Sequence, residues 1–226
     1  MLEPVETTVT GPRLYRWPNS ARYGKAVPKT KFYEHGKVNT SLRERFVAEV
    51  QRITWAYKLA ENTINLPGSA AVPEIQVFEI VAKGNDVSDV VLAAIDKAVK
   101  TPIFFELSRT GGVRLAAAHK ATARQGAYFT TAWLPADSDR APLPTAINIP
   151  SLYGALLTPL VPVSTQAGED VGAIAERVEV ARKLEREIAA LERKLRNEPQ
   201  LNRKVELRRI LITKQATLAG LTSRTP

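Results

Sequence analysis

Residues 102–119 read Pro-Ile-Phe-Phe-Glu-Leu-Ser-Arg-Thr-Gly-Gly-Val-Arg-Leu-Ala-Ala-Ala-His. Two apolar runs, residues 102–107 and 113–119, flank Arg109-Thr110-Gly111-Gly112. A double glycine between such runs signals a hairpin, because tight hairpin turns need φ > 0. A third run, residues 127–134, follows Gln125-Gly126 and extends the meander. Upstream, Ile75-Gln76-Val77-Phe78-Glu79-Ile80-Val81 is β-rich, follows Pro73 and closes at Lys83-Gly84. Its apolar positions do not alternate, which fits a central strand. Between these runs, Asn85, Asp86 and Ser88 offer caps for a helix over residues 87–99, striped by Val87, Val90, Val91, Ala94, Ile95 and Ala98.

A helix is also predicted to start near Ser41, where Ser41-Leu42-Arg43-Glu44 fits the capping box. Leu42, Phe46, Val50, Ile53 and Tyr57 continue it as one amphipathic stripe, and residues 62–68 end it. The order helix, strand, helix, strand, strand, strand predicts an α+β domain, with a largely antiparallel sheet and helices on one face. Residues 135–150, with four prolines, read as a loop, and residues 151–160 as a short helix stopped by Pro159 and Pro162.

The 226 residues carry 32 Lys+Arg against 23 Asp+Glu, net +9, with 44% hydrophobic residues and no cysteine. That composition excludes a disordered or collagen-like chain, and the missing cysteines exclude a disulfide scaffold, a thiolate metal site and a cysteine nucleophile. No apolar run approaches the roughly 20 residues that span a bilayer, and residues 1–10 lack a signal-peptide pattern. A cytoplasmic protein without a membrane partner is the expectation. The charge is uneven: residues 1–40 are net +4, residues 41–170 net −1 and residues 171–226 net +6. Such asymmetry points to basic appendages that meet an acidic partner.

Residues 1–30 hold Pro4, Gly11, Pro12, Pro18, Gly24 and Pro28 and read as an extended basic arm. Within it, Leu14-Tyr15-Arg16-Trp17-Pro18 is apolar enough to strap the core. The α+β domain is set at residues 31–162 and a linker at 163–170. Residues 171–222 read as an antiparallel helical hairpin of coiled-coil type. One seam runs through Val171, Ile174, Val178 and Ala181, then Leu184, Ile188, Leu191 and Leu195. Beyond Asn197-Glu198-Pro199 the second runs through Leu207, Leu211, Lys214, Leu218 and Leu221. Pro199 suits a first helical turn.

No phosphate loop, dinucleotide fingerprint, nucleophile elbow or zinc signature occurs, so no cofactor and no metal are expected. His35 and His119 stand in different elements and read as structural. Glu79, Lys83 and Glu106 allow a metal-dependent nuclease-like site, in which carboxylates hold Mg²⁺ and a lysine steadies the attacking water. The spacing is E-x-x-x-K, however, rather than E-x-K. Nucleic-acid or partner contact is expected from Arg182, Lys183, Arg186, Arg193, Lys194 and Arg196 on the first hairpin helix, and from Arg203, Lys204, Arg208 and Arg209 on the second. Interleaved glutamates (Glu176, Glu179, Glu185, Glu187, Glu192 and Glu206) are equally how coiled-coil flanks recruit helical partners.

Four motifs carry a family resemblance: Val27-Pro28-Lys29-Thr30-Lys31-Phe32-Tyr33-Glu34, Ile53-Thr54-Trp55-Ala56-Tyr57-Lys58-Leu59 with Thr63-Ile64-Asn65, Glu74-Ile75-Gln76-Val77-Phe78-Glu79-Ile80, and Asn202-Arg203-Lys204-Val205-Glu206-Leu207. From about Leu14 to Leu221 the chain resembles the bacterial family catalogued as domain of unknown function 4391. The family has no established activity. What the resemblance implies is an accessory role beside DNA methyltransferases and helicases in prokaryotic defence loci, with no role assigned to the matching Lys31, Tyr33, Trp55, Tyr57, Lys58 and Asn65. The chain is therefore read as a non-catalytic accessory protein. Its partner would be another protein, a methyltransferase or helicase among them, or a second copy of itself, with nucleic acid a further partner. A nuclease-like DNA-processing subunit and a homo-oligomeric scaffold are the alternatives.

Overall fold

A computed structural model describes residues 14–36, 38–118, 128–161 and 171–222. Residues 1–13 of the expected arm, His119 and the expected linker lie outside them, as does the side chain of His35. The chain divides into two units, Met1–Leu160 and Val161–Pro226.

The first unit is α+β. Its main sheet runs β2 (Arg22–Ala26), β3 (Val50–Ala60), β4 (Glu74–Ala82), β5 (Ile103–Arg109), β6 (Gly112–Ala117) and β7 (Phe129–Thr130), with β8 (Leu134–Pro135) also on β6. All these pairs are antiparallel except β4–β5, which are parallel and joined by the crossover helix α4 (Asp89–Ala98). Within α4 the buried positions are Val91, Leu92, Ala94, Ile95 and Asp96, whereas Val90, expected on the apolar stripe, is exposed. The hairpin turn falls at the double glycine: Gly111 has φ +72°, where a side chain would be strained. Residues 22–26, expected in the arm, form the outer strand β2. The strap reading of Leu14, Tyr15 and Trp17 matches their burial, and β1 (Leu14–Tyr15) pairs with β9 (Arg140–Ala141) as a separate two-stranded ribbon.

The helix predicted over residues 41–61 needs correction. Asn39, not Ser41, is the cap, accepting from the Leu42 N–H at 2.9 Å, and α2 (Thr40–Glu49) stops at Glu49. The rest is β3. Two register shifts, between Val50 and Arg52 and between Trp55 and Tyr57, break its alternation. Val50, Ile53, Ala56 and Leu59 are consequently buried at every third position, a spacing that imitates a helical stripe. The side chains themselves favour a strand, since Val50, Ile53, Thr54, Trp55 and Tyr57 are β-branched or aromatic. A single turn, α3 (Glu61–Ile64), closes at Asn65, whose φ of 55° is one asparagine tolerates.

Neighbouring sheet residues point to opposite faces, so the two cores separate cleanly. Phe78, Ile80, Phe105 and Leu107 pack with Phe32 of α1 (Lys29–Gly36), Phe46 of α2 and Val91, Leu92 and Ile95 of α4. Tyr128 belongs to this core and donates its hydroxyl proton to buried Asp96 at 3.0 Å; burial, then Asp96, holds that phenol far above its ordinary value. Phe104, on the other face, meets Trp17 and Tyr153 of α5 (Ile149–Leu157). That helix starts two residues before the expected Ser151. Asn148 caps it reciprocally with Ser151, and Pro150 sits in the first turn, where its missing N–H costs nothing.

The second unit contains α6 (Val171–Asn197) and α7 (Leu201–Thr222), the expected hairpin. Pro199 lies in the turn rather than in the first turn of α7. Val178, Ala181, Ile188 and Leu211 are its buried apolar positions, and Lys214 pairs with Glu187 across the hairpin at 2.6 Å. The side chains of Val171 and Ile174, on the expected seam, lie outside the described residues. Among the described residues no helix is long and apolar enough to cross a membrane.

Candidate functional site

Parallel pairing of β4 with β5 places Glu79 directly beside Glu106. These are the two carboxylates of the nuclease-like constellation, and the sheet brings them together. Glu106 is only 7% exposed and its lone pairs are filled. Arg140 of β9 donates through both terminal nitrogens, Nη1 to Oε2 at 2.9 Å and Nη2 to Oε1, and Trp17 Nε1 donates to Oε2 at 3.1 Å. Arg140 Nη1 also reaches the Tyr15 carbonyl at 3.0 Å, so one guanidinium ties β1, β5 and β9 together. Its own pKa is raised, first by the hydrogen bonds to Glu106.

Glu79 is different. It is half-buried and its carboxylate has no hydrogen bond among the described residues. Burial, then the charge of Glu106, raises its pKa, while Arg140, Arg52 and Arg22 oppose the rise. Tyr57 of β3 looks onto the same cluster, its phenol raised by burial and then by Glu79 and Glu106. A carboxylate biased toward its neutral form beside a fully engaged one can hold or release a proton.

The third member does not join them. Four residues along a strand would face one way, but β4 ends at Ala82. The Lys83 ammonium donates instead to the Val47 carbonyl at 2.6 Å, and Lys29 donates to the Val50 carbonyl, so two lysines finish α2 where its carbonyls run out of partners. Burial, then Lys83, lowers the Lys29 pKa. Among the described residues no three His, Cys, Asp or Glu side chains are grouped as a metal would need. Arg140, Trp17 and Tyr57 complete the cluster from distant positions; no spacing rule connects Trp17, Glu106 and Arg140.

The family-motif positions fall mostly on structural contacts. Trp55 stacks on Phe78 and meets Tyr23 at a tilt of 40°, and its indole N–H donates to Gln76 at 2.8 Å. Lys58 pairs with Glu74 at 2.7 Å. Tyr33 meets Phe46 edge-on beneath the Arg43 guanidinium, Asn65 ends α3, and Lys31 is exposed on α1.

The basic positions of the hairpin lie on both helices. Lys183, Arg186, Arg193, Lys194 and Arg196 on α6 are exposed, as are Arg203, Arg208 and Arg209 on α7; Arg182 and Lys204 are partly covered. Near the turn, Arg193 and Lys194 of α6 and Arg203 of α7 line one cleft with Ala190, Leu207 and Ile210, and Glu198 and Glu206 line it as well. Three cations against two carboxylates leave the cleft with one excess positive charge, so it can bind a phosphate or an acidic side chain through whichever cations the glutamates leave free. The sequence signal that finds them is charge density alone. No curated protein and no solved structure matches the chain. A family model described as Domain of unknown function (DUF4391) matches residues 16–218.

Proposed function

The chain belongs to the family of domain of unknown function 4391, and from that premise we propose a non-catalytic accessory protein that docks on DNA-acting machinery through its C-terminal hairpin. The observation that carries this reading is the cleft near the turn, where Arg193, Lys194 and Arg203 from both helices converge. The net charge of +6 over residues 171–226 beside a neutral middle of the chain supports an acidic counterpart. A methyltransferase or helicase is the partner in view, and phosphate contact accompanies docking.

The test is co-purification of the tagged full-length chain from its native cells, with and without Arg193→Glu, Lys194→Glu and Arg203→Glu together. Retention of a DNA methyltransferase or helicase by the wild type, and its loss from the triple variant, is expected. If the variant retains the same partner, docking does not run through this cleft. Mg²⁺-dependent DNA cleavage that Glu79→Ala abolishes would instead establish the nuclease-like alternative.

A further inference from the structure

The second hairpin helix carries two apolar stripes, and only one of them faces its neighbour. Leu207, Leu211, Lys214 and Leu218 share the covered side, with Leu211 buried and Lys214 paired to Glu187 of α6. Leu201, Val205 and Ile212 fall on another side at steps of four and seven, and are 75%, 63% and 59% exposed. Ala216 and Ala219 continue that second stripe toward the end of the helix. Large aliphatic side chains aligned along one exposed helix face mark an interaction surface rather than scattered surface apolars.

The flanks say what kind. Lys204 and Arg208 border the stripe on one side and Arg209 on the other, while Glu206, the one carboxylate of α7, falls outside it. We propose that this face takes an amphipathic helix of a partner protein whose apolar seam is bordered by Asp and Glu, laid along α7 as a third helix of the bundle. This rests on the docking reading above and names the chemistry of the docked element. A second copy of α7 fits poorly, because pairing would bring Lys204, Arg208 and Arg209 together twice over, with Glu206 alone to offset them. A nucleic-acid backbone offers no apolar surface to Leu201, Val205 and Ile212.

The test uses the full chain and two synthetic amphipathic helices about as long as α7, identical in their leucine seam and flanked by glutamate or by lysine. Fluorescence anisotropy is expected to give salt-sensitive binding of the glutamate peptide, with the lysine peptide roughly tenfold weaker or worse. Val205→Glu and Ile212→Glu, both at exposed positions, should each weaken the glutamate peptide by about tenfold or more. Arg208→Glu with Arg209→Glu should reverse the preference toward the lysine peptide. Equal binding of both peptides, no binding of either, or a dimer of the chain that Ile212→Glu dissociates overturns the proposal. If no peptide binds while the cleft variant still loses its cellular partner, the docking reading survives and only this one falls. If the peptide binds while the cleft variant keeps that partner, the converse holds.

Discussion

Burying a carboxylate costs several kcal/mol unless its lone pairs are filled, and Glu106 fills its own from Arg140 and Trp17. The same guanidinium holds the Tyr15 carbonyl, so its removal strips a buried charge and loosens the β1–β9 ribbon at once. Arg140→Met is therefore expected to cost about 3 kcal/mol in chemical denaturation. Adding Glu106→Leu should recover much of that loss, because the unpaired charge is then gone. Glu79 gives the opposite sign. Its folded pKa lies above the ordinary 4.5, through burial and then Glu106, against the pull of Arg140, Arg52 and Arg22. The folded state thus binds that proton more tightly than the unfolded chain. Its contribution to stability is present below pH 4.5 and is lost as pH rises through the folded value. Glu79→Gln should accordingly raise the melting temperature at pH 7, and the gain should vanish as the pH falls below the ordinary carboxylate range. A gain that persists unchanged at low pH would show that the carboxylate's charge is not the cause.

At the scale of elements, the junction between α2 and β3 is where sequence and structure part. A helix ending directly in a strand leaves its last carbonyls without i+4 donors. Lys83 and Lys29 supply donors at Val47 and Val50, placing positive charge at the negative end of the helix dipole. Lys83→Met is expected to lower stability by about 0.5–1 kcal/mol by urea denaturation. A larger loss would mean that Lys83 holds more than the end of α2. The lysine was singled out in the sequence for its distance from Glu79, a rule that applies only inside a strand. Local chemistry was legible elsewhere: the Gly111-Gly112 turn and the long hairpin follow from residue type and period, whereas α4 starts after Ser88, two residues later than expected, and without a capping bond from its hydroxyl. What defeated the reading of residues 50–60 was a period changed by two bulges, since each extra residue turns a two-residue repeat toward three. The cluster around Glu106 was illegible for a different reason. Trp17 and Arg140 reach it across 89 and 34 positions, and only the parallel β4–β5 pairing sets Glu79 beside it.

For the whole molecule, where the charge sits decides what its +9 can do. The stretch over residues 41–170 is close to neutral, and in the sheet cluster Arg140 neutralises Glu106. Exposed cations are densest along α6 and α7 and are spread more thinly over the first unit, where Arg22 and Lys25 form a small group on β2. Salt separates these two sources. Each phosphate contact adds about 0.9 to the slope of log affinity against log salt on duplex DNA, so contacts can be counted and then assigned. If the hairpin makes the phosphate contacts, replacing Arg193, Arg196 and Arg203 with alanine should reduce the slope by roughly 2–3. Replacing Arg22 and Lys25 with alanine should leave it unchanged. The alanine variants keep both helices intact, because alanine is the strongest helix former and none of the three arginines is buried. Circular dichroism should therefore show no loss of helix alongside the reduced slope. A slope that follows Arg22 and Lys25 would move the nucleic-acid face to the outer strand, leaving the hairpin as a protein-docking element alone.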